Sequence, residues 1–153
     1  MILSMIDRYV SLSINRVKIE RLLKKSKSNN NAVINDLKRE LEIVNAAINY
    51  LYEKIINRIT LLTAEELKNL SKCLERKAKQ IKEKIDETDT LLKISSDNKQ
   101  IAEKGEDETA IETYDKIIEQ AIIKKSEQQE ELNCYDCTLS LCYKIRYIET
   151  VAK

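Results

Sequence analysis

One glycine and no proline in 153 residues restrict this chain more than any other feature. Ordinary usage would place about eleven glycines and eight prolines in such a length. Sandwiches and barrels turn every few residues and need those punctuators, so compact β folds are nearly excluded. Doubly wound α/β folds need glycine where a strand turns into a helix, and a single one does not supply it. The expected class is therefore all-α. Hydrophobic residues make up 42% of the chain, enough to build a core despite 35% charged residues.

Apolar spacing divides the chain into helices. The first runs over residues 2–25, and its apolar positions (Ile2, Leu3, Met5, Ile6, Tyr9, Val10, Leu12, Ile14, Val17, Ile19) cover more than half of a helical wheel. A surface helix needs a narrower stripe, so this one either sits between others or presents two faces. Residues 26–31 are polar and turn-favouring and read as a loop. A second helix over 32–62 carries a seam at Ile34, Leu37, Leu41, Val44, Ile48, Leu51, Ile55, Ile59 and Leu62, the heptad-type spacing of long packed helices. Thr63-Ala-Glu-Glu66 is a capping box and starts a third helix over 64–94. Its seam is Leu67, Leu70, Leu74, Ala78, Ile81, Ile85 and Leu92, with Thr88 as a weak layer. So short a connection predicts a coiled-coil-like central hairpin.

Residues 95–107 read as a loop or short helix, with Gly105 as a left-handed cap and Asp107 as the N-cap of the last helix. That helix covers 108–152, with a possible break near Asn133. Residues 124–131 contain no apolar side chain; the usual meaning is a solvated overhang, the other a polar layer inside the bundle. The whole reads as one domain, an elongated antiparallel up-and-down bundle of four long helices, with a fifth if the last one breaks. After Leu132 the chain is apolar on more than one side. Cys134, Cys137, Leu141, Ile145 and Ile148 form one face; Tyr135, Leu139, Cys142 and Tyr143 turn toward another.

The net charge of +1 conceals a dipole along the sequence: residues 1–39 carry nine Lys/Arg against three Asp/Glu, and residues 103–131 carry four against ten. These segments are expected to lie side by side or to dock a charged partner. Without histidine there is no imidazole base or ligand. Cys134, Cys137 and Cys142 invite a zinc reading, yet they stand in a helix-favouring run, and buried thiols are the preferred reading. No metal and no cofactor is expected. The acidic pairs lie in solvated runs, and no nucleophile has a partner base, so catalysis is not expected.

The expected role is a non-enzymatic protein–protein interaction module that self-associates as a homo-oligomer through its first and last helices. Met5, Tyr9, Leu12, Tyr135, Leu139, Cys142, Tyr143 and Tyr147 are the candidate interface. An alternative is a small inhibitor or adaptor of phage type, an anti-defence protein binding a nucleic-acid-handling complex through a charged face. Arg16, Arg21, Lys24, Lys25, Glu106, Asp107, Glu108 and Glu112 would form that face. Direct nucleic-acid binding is a weaker alternative. The first residues are too short an apolar run for an export signal or a membrane span, which points to a cytoplasmic protein with no membrane partner.

Overall fold

The computed structural model describes residues 1–26 and 31–152, the side chains of 149, 150 and 152 excepted. Four helices follow one another: α1 (Ile2–Lys25), α2 (Asn31–Thr60), α3 (Ala64–Lys104) and α4 (Glu108–Ala152). The described residues contain no strand, and the class is an all-α, up-and-down helical bundle. The loop expected over 26–31 falls largely on residues 27–30, outside the described residues.

The two strongest start signals act as read. The Thr63 N–H donates to Glu66 Oε1 and the Glu66 N–H to Thr63 Oγ1, both at 3.2 Å, which closes the capping box and opens α3. Asp107 Oδ1 accepts from the Ala110 N–H at 3.2 Å and opens α4.

Three expectations need correcting. The third helix does not stop at residue 94 but runs on to Lys104. Its inward stripe continues in small residues: Thr88, Ser95 and Ala102 are all buried. Small side chains look like a fading seam in sequence, but they suit two helices lying close together, and no glycine or proline interrupts the run.

Gly105 is not the left-handed residue. Glu106 is, with φ of 55°, while no glycine has positive φ. The Asp107 N–H donates to Ala102 O at 3.0 Å and the Glu106 N–H to Glu103 O at 3.2 Å. That pair of bonds is a Schellman ending one residue later than the glycine implied. Finally, α4 is unbroken at Asn133. Cys134, Tyr135 and Thr138 turn inward directly after it, so packing holds the helix where local capping signals offered a break.

The contacts fall into two units, residues 1–78 with 130–153 and residues 79–129. In the first, α1 is the hub. Its Tyr9 ring lies 5.7 Å from that of Tyr52 on α2. Asp7 accepts from Lys77 Nζ of α3 and from the Tyr135 hydroxyl of α4, both at 3.3 Å. Arg16 meets Glu130 of α4 at 3.5 Å. Three neighbours explain why the apolar surface of α1 is wider than a stripe. The core of this unit holds Ile6, Val10 and Ile19 of α1, Ile48, Leu51, Ile55 and Ile59 of α2, Leu67, Leu70 and Leu74 of α3, and Tyr135, Leu139 and Cys142 of α4. Each such aliphatic side chain contributes roughly 1.5–3 kcal/mol by leaving water.

The second unit is an antiparallel helical hairpin of α3 and α4. Lys99 Nζ is 2.6 Å from Asp115, and Lys125 Nζ is 2.5 Å from Asp89. Ten residues down α3 thus match ten residues up α4. Just beyond the Asp89–Lys125 pair, Thr88 hydrogen-bonds Gln128 at 2.9 Å, with both residues buried. The polar run 124–131 is therefore not a solvated overhang: Gln128 is the centre of a polar layer.

Candidate functional site

The candidate interface residues separate by burial. Tyr135, Leu139 and Cys142 lie inside the first unit, 5%, 7% and 0% exposed, so they are core and not contact surface. Tyr135 is held by its hydroxyl on Asp7 and by the Lys77 ammonium 5.6 Å from its ring centre. Burial raises its phenol pKa, and the Asp7 and Glu131 charges raise it further, so it stays a neutral donor. Tyr9 is half-buried against Tyr52, and burial pushes its phenol up to about 12.

The rest of the candidate interface lies in two places. The end of α4 presents Tyr143, Tyr147, Ile148 and Val151. Tyr143 anchors this face by donating its hydroxyl to Glu75 of α3; that bond raises its pKa first, and burial adds to it. A shallow groove of about 440 Å³ runs between Ser140, Tyr143, Lys144, Tyr147 and Ile148. The apolar faces drawn from sequence were therefore divided differently by the fold. Cys134, Tyr135, Thr138, Leu139 and Cys142 turn inward, while Cys137 and Ile148 are exposed.

Met5 and Leu12, half-buried, line the second place, a groove of about 470 Å³ between α1 and α2. Tyr50 and Leu51 form its α2 wall, and Arg8 and Lys54 stand at its rim. The Lys54 ammonium sits 4.6 Å from the Tyr50 ring centre, a cation–π contact that fixes both side chains. Met5 and Lys54 also line a neighbouring hollow of about 260 Å³ that continues to Arg58 and Leu61. Leu61 is 81% exposed. Together these make an apolar channel with a basic edge.

The residues of the expected charged face are divided between the two units. Arg16, Arg21, Lys24 and Lys25 belong to the first unit and Glu106, Asp107, Glu108 and Glu112 to the second. Most have local work. Arg16 pairs with Glu130. Lys24 and Lys25 occupy the last turn of α1 and Glu108 the first turn of α4, where their charges complement the helix dipoles. Asp107 caps α4 and Glu106 makes the Schellman turn.

All four cysteines are free thiols. Cys134 and Cys142 are buried, Cys73 half-buried and Cys137 exposed. Among the described residues no three Cys, Asp or Glu side chains converge on a metal-sized site. Burial pushes the Cys134 thiol up to about 11, against a lowering contact from Ser13, and burial likewise raises Cys142 against Ser71. A thiol so protonated is a poor nucleophile.

Sequence reasoning passed over the buried hydroxyls. Ser13, Ser71 and Thr138 are at most 1% exposed. The signal was positional: each occupies a seam position, Ser13 after Ile6 and Val10, Ser71 after Leu67, Thr138 after Cys134. The Ser71 and Thr138 hydroxyls donate to the carbonyls four residues back, at 2.9 and 2.8 Å, and so pack as small apolar groups.

No described helix is long and apolar enough to cross a membrane. The chain matches no family model, no characterised protein and no solved structure.

Proposed function

We propose that this protein acts by binding and not by catalysis, as a helical interaction module that associates with a second copy of itself through surfaces on its first and last helices. One observation carries the reading. Four large apolar side chains, Tyr143, Tyr147, Ile148 and Val151, stand 45–70% exposed on a helix whose opposite side is already packed in the core. A contiguous apolar face of this kind is characteristic of an interaction site. The groove lined by Met5 and Leu12 is the corresponding surface at α1. The protonated, buried thiols and the absence of histidine from the chain fit the same reading.

Sedimentation equilibrium tests it. The expected result is a mass that rises with concentration over the micromolar range. Y147S/I148S, which removes apolar area without touching the core, should weaken association at least tenfold while leaving helicity unchanged. A wild-type protein that stays monomeric up to several hundred micromolar overturns the proposal.

A further inference from the structure

The α1/α2 channel has a basic edge, and a stripe on α3 has the opposite character. Glu83, Glu87, Leu91, Ile94, Asp97 and Ile101 follow one another at spacings of 4, 4, 3, 3 and 4, which places them along one side of the helix. All six are exposed, Leu91 by 45%, Ile94 by 52% and Ile101 by 68%. This stripe lies apart from the inward one of Thr88, Ser95 and Ala102, so the hairpin contains small residues and carries large ones outside.

We infer that the α1/α2 channel of one copy receives the Glu83–Ile101 stripe of a second copy. The inference rests on the homotypic reading above and names what fills the α1 surface. Length is one argument. The channel extends over fourteen positions, from Ala47 on α2 to Leu61 just past its end, about 21 Å, and the stripe extends over eighteen positions of α3, from Glu83 to Ile101, so it is long enough to fill the channel from end to end.

Charge is the other argument. The channel is edged by Arg8, Lys54 and Arg58, with no acidic side chain among its described lining residues, whereas the stripe carries three carboxylates. In the docked arrangement Leu91, Ile94 and Ile101 enter the apolar floor of Met5, Leu12 and Tyr50. Glu83 and Glu87 meet Arg58 and Lys54. An apolar helix face lying in a groove is an established mode of recognition, and the flanking charges fix direction and partner.

Charge exchange between two variants tests it in native mass spectrometry of the full chain. K54E/R58E reverses the channel edge and E83K/E87K reverses the stripe; all four positions are exposed, so both variants should keep the wild-type circular dichroism, the first giving up the surface contact of Lys54 with the Tyr50 ring. Each variant alone should lose association at least tenfold. Mixed in equal amounts they should regain it as a complex holding one of each, because channel and stripe are again opposite in sign. As a second measurement, I94S/I101S should weaken association without altering its salt dependence.

Self-association that is unchanged in both charge variants, or lost and not regained on mixing, overturns this inference while leaving the homotypic reading standing. A monomeric wild type overturns both.

Discussion

Thr88 Oγ1 of α3 lies 2.9 Å from the Gln128 side-chain oxygen of α4, and both side chains are buried. The hydroxyl has one proton and two acceptors in reach, the other being Lys84 O at 3.0 Å. Turning the Gln128 amide over satisfies both contacts, because its nitrogen then donates to Thr88 while Thr88 donates to Lys84. Two helices thus share a buried polar layer in which Gln128 depends on Thr88 while Thr88 keeps its own backbone acceptor.

The layer predicts an asymmetric pair of substitutions. Thr88→Val strands the Gln128 amide in a buried site and should cost about 1–3 kcal/mol. Gln128→Leu leaves a hydroxyl that still bonds Lys84 O, so it should be near neutral. In the double variant most of the Thr88→Val loss should be recovered. Urea denaturation of the four proteins completes the cycle, and an absence of coupling would mean the 2.9 Å contact is not maintained in solution.

At the tip of the hairpin, Glu106 occupies the left-handed region with φ of 55°, where a side chain costs about 1–2 kcal/mol. Glu106→Gly removes that cost against a smaller loss of chain entropy, and should raise the melting temperature by a few degrees. Gly105→Ala should also stabilise, by about 0.4–1 kcal/mol, since the added Cβ meets only Ile101 O at 3.6 Å and Ala102 O at 3.8 Å. If Gly105 held the left-handed position instead, this second change would destabilise. Thermal melts of the two variants therefore tell the two turns apart.

Loss of either helix cap should be measurable on its own. Thr63→Ala and Asp107→Ala each remove an acceptor for a first-turn amide, at an expected cost of about 0.5–2 kcal/mol. Glu66→Ala added to Thr63→Ala should cost less than Glu66→Ala alone, because the two side chains close one reciprocal box. Strict additivity in chemical denaturation would show that the box is open in solution.

Stability should fall in alkali, and the direction follows from proton counting. The buried Cys134 thiol is raised to about 11, above its ordinary value of 9.0, so between those pH values the unfolded chain releases a proton that the folded one keeps. Proton release then favours unfolding, and the stability present below pH 9 declines as pH rises toward 11. The effect of this one group is on the order of 2 kcal/mol. Cys134→Val should flatten that part of the profile of denaturation midpoint against pH. Ellman's reagent offers a companion readout: Cys137 should react at once and Cys142 only on unfolding. An identical alkaline slope in the variant would place the titrating group elsewhere, the buried Cys142 thiol, raised from the same ordinary value, being the next in order.

The sequence by itself determined what depends on neighbours along the chain. One glycine and no proline dictated helices, the seams of α2 and α3 dictated which of their faces turn inward, and Thr63 and Asp107 marked two starts because a cap acts on amides two or three residues away. The inner faces of α1 and α4 were legible only in part. Their apolar surface exceeds one stripe, so burial there was chosen by position in the bundle: Tyr135 turned in to Asp7 and Lys77 while Tyr147 stayed out.

Only the tertiary structure decided that Thr88 and Gln128 face each other, that Ser95 and Ala102 continue a packed stripe, and that the acids Glu106–Glu112 and the basic end of α1 belong to different units. The physical reason is the same in each case. A small or polar side chain has no fixed preference for burial, and whether it is buried follows from what stands across from it in space.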